Sequence, residues 1–291
     1  MKHKILVIFA FFISHSAVCQ KIDDIIGNYK GVNAEGFLQP LADVLTSTFN
    51  TGSAQKSSID SGFHMYLGIV TTNSFIMTDN LRFFEGQTPP LFTPGQTATA
   101  STIIGPSQTT RVAGTNGTSY TFPAGLGLNR IMLAVPQLTI GNIAGTELSV
   151  RYFAYNVGEE FGKISIMGGS VRHDFGRYFL KDSKFTLTGE VGYQELKTGK
   201  YSTLKALKAG VFAGQQHKNF HYFAHVGYQQ GKMNLNYQNP EENLDFSVSL
   251  TNKNPLLFGI GAGIKIAIFK IHAQANFISP VVAALGIGLN F

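Results

Sequence analysis

Tryptophan is absent from this 291-residue chain, and cysteine occurs once, at Cys19. A single cysteine excludes a disulfide framework and a four-cysteine metal site. Charge is scarce: Asp, Glu, Lys and Arg make up 14% of the residues. The 23 basic side chains outnumber the 17 acidic ones but are scattered, so no basic stripe for nucleic acid exists. Long hydrophobic runs are also missing. No stretch reaches the ~18 apolar residues of a membrane-spanning helix, and mean hydropathy is +0.06. No glycine-rich segment follows a strand-like run and opens a helix, which excludes phosphate-loop and dinucleotide folds. What is plentiful is glycine (32), phenylalanine (24) and tyrosine (11). That combination points to an all-β chain with many outward-facing apolar positions.

Residues 1–19 read as a secretory signal. Lys2 and Lys4 precede an apolar core, Ile5 to Ile13, which is too short to span a bilayer, and small residues follow from Ser14 to Cys19. Ala17 and Cys19 suit ordinary signal peptidase, giving a mature chain from Gln20. Ser16-Ala17-Val18-Cys19 is a poor lipidation box, without Leu at its first position and with Val before the cysteine. Residues 20–58 form an N-terminal helical segment. Ile22, Ile25, Ile26 and Tyr29 recur at helical spacing, and after a glycine-containing break so do Phe37, Leu38, Leu41, Val44, Leu45 and Phe49. Two short amphipathic helices are expected, packed on the core, plugging a pore or capping its periplasmic mouth.

From residue 59 the period changes to two. Alternating segments occupy 62–72, 130–140, 146–156, 163–174, 185–197, 203–216, 219–233, 255–269, 271–278 and 281–291. Strands of soluble sandwiches usually run ~5–6 residues, whereas these reach the ~9–11 that a tilted strand needs to cross a bilayer. Each sets glycine or polar residues on one face and bulky apolar ones on the other. The fold class expected is therefore all-β: a closed antiparallel transmembrane β-barrel of about ten strands (about 8–14), with the apolar face toward lipid and a polar lumen. Tyr152, Phe175, Tyr178, Phe179, Tyr193 and Tyr228 are candidates for interfacial girdles. With both ends of the barrel in the periplasm, the periplasmic turns are short and the connections 73–129 and 234–254 become long outer loops, the asymmetry such barrels show. Pro136 suggests a bend or bulge in its strand. A hairpin around Phe75–Phe84 would raise the count to twelve. The Thr-, Gly-, Ser- and Pro-rich stretch 85–129 is expected to fold partly over the outer mouth.

Three stretches carry a resemblance. They are Phe37-Leu38-Gln39-Pro40-Leu41 leading to Asn50, Pro136 to Gly141 continuing with Gly145 to Tyr152, and Gly169-Ser170-Val171-Arg172-His173-Asp174. Through them the chain resembles a family of outer-membrane barrels of Gram-negative bacteria designated a domain of unknown function. More remotely it is similar to barrels of the fatty-acid-transporter type. That likeness implies an N-terminal segment in the lumen and passage of a small hydrophobic ligand. A terminal aromatic, Phe291, resembles the signal read by the barrel-assembly machinery.

The candidate lumen-lining residues are His64, Tyr66, Glu147, Arg151, Glu190, His221, His225, Lys265 and His272. With Arg172 and Lys208 they either build an internal ion-pair network, since buried charges need partners, or line a wet pore. His221 and His225 imitate a helical zinc pair, but on a strand they lie ~13 Å apart at ~3.3 Å per residue. No cofactor, metal or catalytic site is expected. No serine is placed beside a histidine with an orienting carboxylate, and His173-Asp174 falls at the periplasmic end, the wrong end for outer-leaflet chemistry. Two functions remain: a narrow channel or transporter for small hydrophobic molecules, and a non-conducting scaffold that binds partners. A lipid-modifying enzyme is a distant third. Expected partners are outer-membrane lipid and lipopolysaccharide, the assembly machinery and a small hydrophobic ligand, with no nucleic acid. The expected location is the bacterial outer membrane.

Overall fold

The computed structural model describes residues 31–89, 92, 95–156, 162–180, 183–239 and 244–291. The expected signal, its cleavage site and the helical run at 22–29 lie outside the described residues. Fifteen strands are present among the described residues, and ten of them close a barrel. In wall order these are β1 (His64–Phe75), β6 (Arg130–Ile143), β7 (Thr146–Asn156), β8 (Lys163–Asp174), β9 (Phe185–Thr198), β10 (Ser202–His217), β11 (Phe220–Asn239), β13 (Leu256–Ile266), β14 (Phe269–Asn276) and β15 (Val281–Asn290). All neighbours are antiparallel, and β1 pairs with both β6 and β15, which closes the ring. The terminal Phe291 exchanges two backbone hydrogen bonds with Met65, at 2.8 and 3.0 Å, so the last residue fastens the closing strand pair.

The wall strands match the ten alternating segments to within a few residues, because a period of two is what a wall with unlike faces requires. Large apolar side chains are exposed along the outside, among them Leu67, Val191, Val226, Phe258, Ile260 and Ile287. Glycine and polar residues face the lumen. One end of the barrel holds His64 and Asn290 and has mostly short connections; it is termed the turn end. The other, the loop end, carries the long connections.

The remaining strands lie outside the ring. β2 (Phe83–Gln87) pairs with β3 (Thr97–Ser101), and β4 (Thr110–Ala113) with β5 (Ser119–Phe122). These small hairpins, with the one-turn helix α2 (Asp79–Arg82), fold over the loop end and add no strand to the wall. β12 (Leu244–Thr251) pairs with the overhanging part of β11. Pro136 produces no bulge: β6 stays in register with β1 through Pro136↔Ile69, and the irregularity in β6 lies between Gly141 and Ile143.

The second of the expected helices is α1 (Val32–Asn50), which begins five residues before the predicted run and has Pro40 inside it. Gly36 does not break it. A side chain at Gly36 would collide with the Phe84 ring, so this glycine allows β2 to approach closely. Thirteen of the 19 residues of α1 are buried, on all sides from Phe37 onward, because the helix stands inside the barrel. A helix buried all round is the signature of an enclosed element.

Candidate functional site

The lumen is filled in two layers. In the loop-end half α1 meets apolar side chains. Phe37, Leu38, Ala42 and Phe49 cluster with Val135, Ile166, Leu204, Ala206, Met233 and Leu250 of the wall region and with Phe122 of the cap. Val44 packs on Ile76, Leu81 and Ile104. The helix is pinned at chosen points: Asn33 exchanges hydrogen bonds with the Gln87 backbone at 2.7 and 2.8 Å, and Asp43 accepts from the Lys253 amide at 2.7 Å. Gly231 of β11 allows Thr46 to lie against the wall.

Below Asn50 the helix gives way to an extended segment, 51–61, which runs down the lumen to the turn end and hydrogen-bonds to strands all round the ring. The Gly52 amide donates to Gln274 (3.1 Å) and the Ser53 hydroxyl to Glu190 (2.6 Å). Gln55 donates to Thr139 (3.0 Å), Ser58 to Gln216 (2.9 Å), and Asn142 donates to the Ser61 carbonyl (2.8 Å). Ser57 meets Thr186 at 2.7 Å.

The charges sit in this lower half. Glu147 receives Arg172 at 2.9 Å and His64 at 2.8 Å. Glu190 receives Lys208 at 3.0 Å. Lys56 pairs with Asp60 at the turn-end mouth. Burial pushes the Asp60 carboxyl up, but the Lys56 ammonium beside it outweighs burial and holds it below the usual carboxylate range. Arg151 donates to Gln137 (2.9 Å) and to the carbonyls of Phe49 (3.4 Å) and Thr51 (3.2 Å). It ties α1 to the wall without a carboxylate.

Eight of the nine sequence candidates, His64, Tyr66, Glu147, Arg151, Glu190, His221, His225 and His272, are buried in the lumen. Lys265 is not. It is exposed at the turn-end rim, and its cross-strand neighbour Lys270 is the buried lysine instead. The reason is the turn: β13 ends at Ile266 and β14 begins at Phe269, so Lys270 lies within the strand rather than in the connection. Glu147 pairs with Arg172 rather than with Arg151. His221 bonds the Gln55 carbonyl at 2.7 Å and His225 meets Asn276 at 2.6 Å, so the two rings serve separate partners. The list of candidates left out the glutamines. Gln137, Gln194 and Gln274 are buried on the polar face, and alternation alone marks them. It also missed Ser53, Gln55 and Lys56, whose segment carries no periodicity.

The wall has one irregular seam. The β6–β7 ladder runs from Ile143↔Thr146 to Gln137↔Arg151 and stops there. Toward the loop end, Arg130–Pro136 of β6 continues in register with β1, and Tyr152–Asn156 of β7 with β8. Pro136, which has no N–H to donate, is the first residue past the last pair. The inward residues beside this seam are apolar: Val135 is buried in the α1 cluster, and Leu133 and Phe153 pack on it.

A closed antiparallel barrel with a polar lumen, an apolar outer belt and an internal plug defines the class of outer-membrane-type β-barrels. Within that class the chain belongs to the family of unknown function DUF6588, which matches residues 1–291. No curated protein is detectably similar in sequence. Among solved structures, the outer-membrane protease OmpT of Escherichia coli is similar at 7% identity, covering 79% of this chain and 96% of that one, with a TM-score of 0.37. The toluene transporter TbuX of Ralstonia pickettii is similar at 11% identity, 87% and 98% coverage and a TM-score of 0.32. Ail, the attachment invasion locus protein of Yersinia pestis, is similar at 14% identity, 79% and 99% coverage and a TM-score of 0.26. At these scores the likeness carries no functional argument.

Proposed function

We propose that this protein resides in the bacterial outer membrane, turn end toward the periplasm, and passes small apolar molecules sideways between its loop-end lumen and the surrounding lipid. The observation that carries this reading is the seam between β6 and β7. The β6–β7 ladder ends at Gln137↔Arg151, short of the loop end and beside an apolar interior, so the wall has its weakest barrier there. An axial aqueous path is disfavoured. A ten-strand barrel is little wider than the ~8-strand barrels that side chains fill, and here residues 51–61 and the ion pairs fill the lower half. Apolar solute would exchange with contacts that α1 now makes to Val135 and its neighbours.

The test uses a disulfide across the seam. Were the ladder continued, Ala134 and Ala154 would face each other. Cells carrying Ala134→Cys with Ala154→Cys are assayed for uptake of the apolar dye N-phenylnaphthylamine. Oxidation is expected to reduce uptake to that of cells lacking the protein, and reductant to restore it. Full uptake through verified crosslinked protein contradicts lateral passage. Absence of uptake by the unmodified protein removes transport altogether.

The second reading, a non-conducting barrel that binds partners, draws on the hairpins β2–β3 and β4–β5, which present an ordered surface at the loop end. Crosslinking from residues 95–122 on whole cells tests it: recovery of lipopolysaccharide alone counts against a protein partner.

A further inference from the structure

The buried charges of the lumen do not balance. Arg172, Lys208 and Lys56 each have a carboxylate, and Arg151 and Lys270 have none within ion-pair distance among the described residues. Lys270 is 3% exposed and Arg151 5%. Glu190 acts on Arg151, and Glu147 and Asp60 on Lys270, only from beyond that distance, and a buried cation without a close partner is costly, so two in one lumen need an explanation.

The strand register brings them to one place. Lys270 lies opposite Gly288, Gly288 opposite Gly68, Gly68 opposite Gln137, and Gln137 opposite Arg151. The two cations therefore flank a single lumen row whose middle is two glycines, a shallow indentation in the wall. Tyr66 lies over that indentation: a side chain on either Gly68 or Gly288 would strike its ring or hydroxyl. The His272 ring meets the Tyr66 ring edge-on at 5.9 Å, and the Lys270 ammonium lies 5.9 Å from the Tyr66 ring centre. The free Arg151 Nη2 reaches toward Gly52, beside Val70, the next lumen residue above Gly68 on β1. The Tyr66 hydroxyl and Arg151 Nη2 are buried without a hydrogen-bond partner, and the His272 ring has only the Gly52 backbone beside it. Buried polar atoms are seldom left so, and the hydroxyl and the guanidinium nitrogen are both able to donate.

We propose that the lumen binds one small monovalent anion, of halide size, beside the Tyr66 ring that fills this indentation, held by Lys270, Arg151, Tyr66 and His272. The anion supplies the missing negative charge and accepts the orphaned donors. The site is independent of the lateral-passage reading, since it lies in the polar half and binds whether or not the seam conducts.

Thermal unfolding of the full chain in detergent is measured at matched ionic strength in sodium chloride, sodium bromide and sodium gluconate, whose anion is too large for a buried site of halide size. The expected result is a saturable rise in Tm of about 3 °C or more in either halide over gluconate. Lys270→Met is expected to abolish the difference, and Tyr66→Phe, which keeps the ring on its glycines, to weaken it. Crystals soaked in bromide should show an anomalous peak between Lys270 and Tyr66, which keeps the test open if Lys270→Met fails to fold. Equal Tm in chloride and gluconate, a full halide response in Lys270→Met, or the absence of a bromide peak overturns the proposal.

Discussion

In the loop-end half of the lumen α1 meets Leu, Ile, Met, Phe and Ala; in the turn-end half residues 51–61 meet Glu, Arg, Lys, His and Gln. Both halves are filled, but by different means. The upper half is packed by a helix, which satisfies its own backbone and can turn apolar side chains in every direction. The lower half is packed by extended chain, whose backbone and hydroxyls need partners on the wall, and the wall supplies polar ones. The difference teaches where rigidity resides. Apolar contacts are non-directional and tolerate rearrangement, whereas a buried ion pair stripped of one member leaves a charge with nothing to answer it. The lower half is therefore the lock and the upper half the part that can yield.

Breaking the lock has the largest expected effect. Arg172→Met leaves Glu147 buried with only His64, and urea unfolding in detergent should register a loss of about 3–5 kcal/mol. A loss under ~1 kcal/mol would mean that water, and not the ion pair, fills the lower half. Next comes the wall. Val191 is 61% exposed at mid-strand, and Val191→Arg should cost about 2–4 kcal/mol on folding into vesicles if that position faces the bilayer midplane. The upper half should be more forgiving: Phe37→Leu is expected to cost under ~1.5 kcal/mol, with the detergent melting curve as the check. Smallest is the acid response of the Lys56–Asp60 tie. The Asp60 carboxyl is held below its ordinary range, so the stability it adds is present above the unfolded value, ~3.9, and is lost as pH falls through the folded one. With Asp60 about a third exposed, the change is slight. Asp60→Asn should lower the neutral plateau slightly and flatten the acid limb below pH ~4.

The wall was legible in the sequence because a two-faced strand writes its burial into every second residue. The polar face was legible for the same reason, and it brought His64, Glu147, Glu190, His221 and His272 to the lumen. What stayed hidden lacked period or length. β2 to β5 span four or five residues each, too few to establish alternation, whereas β12 does alternate, Leu244, Phe246, Val248 and Leu250 against polar residues, and was passed over inside the stretch read as an outer loop. Gly36 reads as a helix break, and only the packing of Phe84 shows why it is a contact instead. Lys270 was misplaced because the β13–β14 turn centres on Ala267, a non-glycine residue at φ 52° that carries no turn signature. The seam was signalled by Pro136, but as a bend. That a proline marks the end of a ladder rather than a bulge depends on the neighbouring strand, which the local sequence does not contain.

The whole account depends on which surface of the ribbon meets hydrocarbon. The absence of native tryptophan makes a clean measurement available: single-tryptophan variants reconstituted in vesicles whose acyl chains carry bromine. Val191→Trp and Ile260→Trp, on the outer face, should be strongly quenched, while Phe37→Trp on α1 should keep its emission. Bright fluorescence from the two wall positions, or equal quenching at all three, would contradict a barrel that shows its apolar face to lipid and holds its helix inside.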